Sequence, residues 1–87
     1  MTQFNAIVFM RSELADMQAH GFDFLNENDR EEYYATARKI QDLYNKKNNA
    51  ALEFIAENNE RYSSVEQRCA DYALIHLYES SENELTK

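Results

Sequence analysis

Between Asn26 and Arg61 the chain runs for 36 residues without a glycine or a proline. Helix-favouring residues dominate it, and as one helix it would measure roughly 50 Å at 1.5 Å per residue. A compact domain of this size rarely needs so long an element, so the stretch either breaks or reaches a partner. Tyr33, Ala37, Ile40 and Tyr44 form an apolar stripe at spacings of 4, 3 and 4, with Leu43 beside it. The stripe meets Asn45-Lys46-Lys47-Asn48-Asn49, a polar run containing poor helix formers, and apolar residues resume from Ala50 to Ile55. Either the helix bends or breaks there, or it continues with a solvated section. With no Gly or Pro to force a break, continuity is the expectation.

The whole chain of 87 residues has one Gly and no Pro, which argues for helices joined by few, short connections. A single domain of this length buries only about 60% of the surface exposed by its unfolded chain. Assembly of several copies is a natural remedy for so small a core. The formal charge of −7 disfavours duplex nucleic acid as a partner, because phosphate binding needs clustered Lys and Arg. It leaves two readings, a solubilising surface or an acidic face for a basic partner. Cys69 is the only cysteine, so no intramolecular disulfide can form and a reducing compartment is expected. Phe4 to Met10 is apolar, but Arg11 and Glu13 follow too soon for a signal peptide or a membrane span. A soluble cytoplasmic protein with no membrane partner is expected.

Three helices follow from the patterning. The first, over about residues 3–20, carries Phe4, Ile7, Met10, Leu14 and Met17 at spacings of 3, 3, 4 and 3, with Val8 and Phe9 widening the apolar face. Gly21 stands where a left-handed cap belongs, and His20 suits the negative end of the helix dipole. The second covers about 27–60, starting at Asn26 or Asn28, with acidic residues crowding its first turn. The third covers about 64–80 and opens on a capping box, Ser63-Ser64-Val65-Glu66. Residues 81–87 form a polar tail expected to fray. The predicted fold is all-α: an N-terminal amphipathic helix plus a long antiparallel helical hairpin, assembling as a homo-oligomer.

Catalytic constellations are sparse. One Gly cannot build a phosphate loop. His20 and His76 are the only histidines, and neither has a second ligand at i+3 or i+4, so no metal or other cofactor is expected. Cys69 lies on an apolar helical face, where a buried inert thiol is expected. The sequence therefore reads as non-enzymatic. The connector holding Phe22, Phe24 and Leu25 is either pinned to the core or an aromatic platform for a planar ligand. Arg38 and Lys39 are adjacent and so point in different directions.

Glu66-Gln67-Arg68, with His76-Leu77 eight and nine residues after the Arg, resembles a motif of small phage proteins, the anti-CBASS sponges. These sequester the cyclic oligonucleotide signals of bacterial immunity. Gly21-Phe22-Asp23 is similar to that family's Gly-aromatic step, with Phe where Tyr is usual. Arg38-Lys39-Ile40 is similar to its Ile-Lys step, although the basic residues precede the Ile and several residues are inserted upstream. The resemblance implies a homo-oligomer, hexameric in the family, in the cytoplasm of an infected bacterial host. It also implies cyclic di- or trinucleotides bound between protomers. Phe22 would then stack on a base, Arg38 or Lys39 and Arg68 would contact phosphates, and His76 would belong to the same site. The bland alternative for Arg68 is a salt bridge to Glu66, Asp71 or Asp42. A different class of function is an acidic inhibitor of a host nucleic-acid-processing, CRISPR or restriction protein. Against it, residues 26–61 carry eight acidic and six basic side chains, too mixed to imitate a phosphate backbone.

Overall fold

A computed structural model describes the backbone of residues 4–21 and 27–85, and the side chains of 4–21 and 29–79. Among the described residues there are four helices: α1 Ala6–Ala19, α2 Glu27–Asn45, α3 Asn49–Glu57 and α4 Ser64–Leu85. There are no strands among the described residues. The all-α expectation holds, but the expected three helices become four.

The difference arises at the polar run. Lys47 adopts φ +57°, the left-handed region that side-chain-bearing residues enter at a cost of roughly 1–2 kcal/mol. The Asn48 amide donates to the Leu43 carbonyl at 2.9 Å and the Lys47 amide to that of Tyr44 at 3.0 Å. This pair of bonds is a Schellman motif with Lys47 in the position glycine usually takes. Asn48 then caps the next helix, its side-chain oxygen accepting from the Ala51 amide at 3.2 Å. The end of one helix and the start of the next thus share a single residue. What drives the reversal is burial: it brings Leu52 and Ile55 of α3 fully into the core. Each such side chain contributes about 1.5–3 kcal/mol. A nine-residue helix is marginal alone and exists here because it is docked.

The helix directions follow from the contacts. Ala6 of α1 donates its amide to Gln41 Oε1 of α2 at 2.8 Å, while Arg30 of α2 donates to Gln18 of α1 at 3.1 Å. α1 and α2 are therefore antiparallel. Phe4 meets His76, Phe9 meets Tyr72 and Glu13 meets Arg68, so α4 is also antiparallel to α1. Gln67 of α4 donates to the Ala56 carbonyl and Tyr78 to Glu53, which sets α3 antiparallel to α4. The long α2–α4 hairpin expected from sequence is replaced by an up-down-up-down bundle in which α2 and α4 run the same way. α2 and α4 pack together at its centre, and α1 and α3 flank them without packing on each other among the described residues.

Local signals elsewhere behave as their chemistry requires. Glu66 accepts from the Ser63 amide at 2.9 Å and Ser63 Oγ accepts from the Glu66 amide at 3.3 Å, closing the capping box. Gly21 takes φ +89° after α1. α1 starts later than expected because Asn5 caps it, accepting from the Val8 amide at 3.1 Å, while Phe4 is buried ahead of the helix. α4 supplies Val65, Cys69, Ala70, Ala73 and Leu74 to the core, small enough in the middle to let its three neighbours, α1, α2 and α3, approach.

Lys47→Gly is expected to stabilise the fold by about 1 kcal/mol by removing the left-handed strain. Asn48→Ala is expected to destabilise it by about 1 kcal/mol through loss of the cap. Urea unfolding followed by circular dichroism checks both, and a Lys47→Gly midpoint no higher than wild type contradicts the assignment of strain.

Candidate functional site

The direct neighbours Arg38 and Lys39 open onto two different grooves, one on each side of α2. Arg38 faces the seam between α1 and α2, a groove of about 460 Å³ lined by Ile7, Arg11, Glu31, Tyr34 and Arg38. Arg11 comes from α1 one turn after Ile7, and Tyr34 and Arg38 are one turn apart on α2. Among the described residues neither Arg11 nor Arg38 makes an ion pair or hydrogen bond. Both side chains stand exposed while Ile7 and Tyr34 are half-buried.

Lys39 faces the start of α4 in a groove of about 360 Å³, with Arg61, Tyr62, Glu32, Thr36 and Glu66 around it. Its Nζ donates to the Tyr62 hydroxyl at 3.4 Å and lies 6.0 Å from the centre of that ring. That distance is at the outer limit for a cation–π contact. Like the first groove it gathers two cations and one phenol, but two carboxylates, Glu32 and Glu66, share its lining where the first has only Glu31.

Arg68 lies apart from both. Its Nη2 is 3.1 Å from Glu13 Oε2, an ion pair between α4 and α1. The partner is thus Glu13 rather than Glu66, Asp71 or Asp42. With the Arg68 side chain 54% exposed, the pair contributes at most about 1 kcal/mol. His76 is half-buried and its ring meets Phe4 at 5.6 Å, tilted, on the far side of a small aromatic cluster that includes Tyr44. Phe22, along with Phe24 and Leu25, lies outside the described residues. Within one chain, Arg38, Lys39, Arg68 and His76 occupy four separate surroundings.

Arg11, Tyr34, Arg61 and Tyr62 were missed by reasoning from sequence. A signal was present for Tyr34 and Arg38, which share a helix face at i, i+4. Arg11 becomes a neighbour of Arg38 only when α1 docks, and no local pattern announces that.

The remaining chemistry is structural. Cys69 is fully buried and donates to the Ala6 carbonyl at 4.0 Å. Burial, reinforced by the charges of Glu66 and Glu13, pushes its thiol up from 9.0 to about 12. Among the described residues no three His, Cys, Asp or Glu side chains gather as a metal site. No described helix is long and apolar enough to cross a membrane. Compared with known proteins, the chain matches no family model, no curated sequence and no solved structure.

The raised thiol yields a direct test. A folded pKa above the unfolded value means the folded state holds the proton more tightly. The thiol's contribution to stability is therefore complete below pH 9 and is lost as pH climbs towards about 12. A thiol-specific reagent at pH 7–8 is expected to modify Cys69 only at the rate of unfolding, so labelling accelerates with urea. Rapid modification in native buffer contradicts the buried placement.

Proposed function

We propose that this protein is a non-enzymatic binder that sequesters cyclic di- or trinucleotides in a homo-oligomer, as the resemblance to the phage anti-CBASS sponges implies. The observation that carries the reading is the tyrosine-lined groove between α1 and α2, where Arg11 and Arg38 face one carboxylate on a chain of net charge −7; the groove on the other side of α2 adds Lys39 and Arg61 beside Tyr62. Cyclic oligonucleotides present flat bases and few charges, so aromatic contact with one or two cations suffices to hold them. A bulk negative charge does not prevent this when basic side chains are collected locally.

In this reading Arg38 and Lys39 contact phosphates from the two sides of α2, and Phe22 stacks on a base. Arg68 adds a third cation close to a neighbouring protomer, after exchanging Glu13 for the ligand. His76, packed on Phe4 and apart from both grooves within one chain, joins the site only across the boundary between protomers. The compartment is the cytoplasm of an infected bacterial host.

Support for assembly comes from the outward face of α4. Tyr72, Ile75 and Tyr78 are about half exposed, and Val8 of α1 is more so. Arg68, Tyr72, Ile75 and Glu79 follow one another at spacings of 4, 3 and 4 on that helix. A second copy laid antiparallel across it would set Tyr72 of each copy against Ile75 of the other. Such self-complementarity is what a two-fold interface requires.

Calorimetry against a panel of cyclic di- and trinucleotides is expected to show binding, with the ligand recovered intact after denaturation. No heat with any member of the panel overturns the proposal. Ile75→Glu is expected to lower the assembled mass seen in sedimentation and native mass spectrometry while circular dichroism stays helical. An unchanged mass rules out this α4 face as the interface.

A further inference from the structure

The α1/α2 groove has a polarity along its length that specifies more than a generic anion. α1 and α2 are antiparallel, with Ala6 beside Gln41 and Gln18 beside Arg30. That register places Arg11 and Arg38 within about one turn of each other at one level of the groove. Tyr34 follows one turn along α2, and Glu31 comes almost a turn further. By the same register Ile7 stands about level with Ile40, across the arginines from Tyr34, so the order along the groove is apolar Ile7, the two cations, aromatic Tyr34 and anionic Glu31. Seven residues separate Arg38 from Glu31, about 10 Å along the helix. This is comparable to the reach of a nucleotide from its phosphate to the far edge of its base.

The charges make the same point. Two guanidiniums facing one groove without a carboxylate partner repel each other, and an anion between them removes that repulsion. Guanidiniums match phosphate oxygens in a planar, two-pronged geometry. A carboxylate has acceptor oxygens only, so Glu31 calls for a base edge that presents N–H donors. Guanine presents two on one edge, matching both oxygens, while a bare sugar phosphate offers none. The volume of about 460 Å³ falls in the range of small-ligand sites.

We infer that this groove holds one guanine nucleotide unit, with its phosphate between Arg11 and Arg38, its base against Tyr34, and its N–H edge on Glu31. The ligand class rests on the sponge reading above; the residues Arg11, Tyr34 and Glu31 do not. In a cyclic oligonucleotide this unit would be one of the two or three, the remainder extending out of the groove.

The test uses the full chain, followed by calorimetry and by amide NMR shifts, with guanosine monophosphate, adenosine monophosphate, ribose 5-phosphate and cyclic di-guanosine monophosphate as probes. All substitutions fall on exposed or half-buried side chains, and circular dichroism confirms folding. Guanosine monophosphate is expected to bind more tightly than the other two monophosphates. Arg11→Gln and Arg38→Gln are each expected to weaken it about tenfold. Glu31→Gln is expected to abolish the preference for guanine while leaving ribose 5-phosphate unchanged. If the cyclic compound binds wild type and both arginine variants equally well, the groove assignment is overturned and the sponge reading stands. If guanosine monophosphate binds in an arginine-dependent way while no cyclic compound binds, the groove assignment stands and the sponge reading falls. No binding of any probe overturns both.

Discussion

Everything downstream of residue 45 depends on a single backbone reversal held by Lys47 and Asn48. Without it, α2 would run on into solvent and the apolar face of α3 would have nothing to cover it. With it, Leu52 and Ile55 join Met10, Ile40 and Cys69 as fully buried side chains. The energetics favour the reversal clearly. Burying two large side chains outweighs one left-handed residue by a few kcal/mol, even before the Asn48 cap is counted. A domain with so little interior has reason to accept local strain in exchange for a fourth helix.

The limits of the sequence follow from the same point. Signals that act within one turn were legible: the Ser63–Glu66 box, the glycine after α1, and the spacing of Phe4, Met10 and Leu14 all correspond to observed contacts. The reversal was not, because its usual marker is glycine and here a lysine occupies the position. The polar run from Asn45 to Asn49 marked the place, and the decision between bending and breaking was made by burial that only the folded core reveals. Candidate site residues show the same division. The separation of Arg38 from Lys39 onto different faces is local helix geometry and was foreseeable. The pairing of Arg68 with Glu13 joins residues 55 apart in the chain, and the meeting of Arg11 with Arg38 likewise needs two docked helices.

Electrostatics here work by placement rather than by total. No polar or charged side chain among the described residues is fully buried, so the core is purely apolar and the charge pattern is a surface matter. On that surface the seven excess negative charges favour solubility. The cations on either side of α2 are positioned by helix packing, with Glu31 sharing the lining of one groove and Glu32 and Glu66 that of the other. Selection for a particular anion can therefore act on a few residues without altering the fold.

The two flanking helices, α1 and α3, do not pack on each other among the described residues and share only the α2–α4 pair as a support. Any communication between a ligand that bridges α1 to α2 and events at α3 must then pass through that central pair. The bundle is, in effect, a lever with its fulcrum in the middle. Tightening one outer helix can influence the other only by shifting how α2 and α4 lie together. Cooperativity between the two sides, where it occurs, is a property of that single joint.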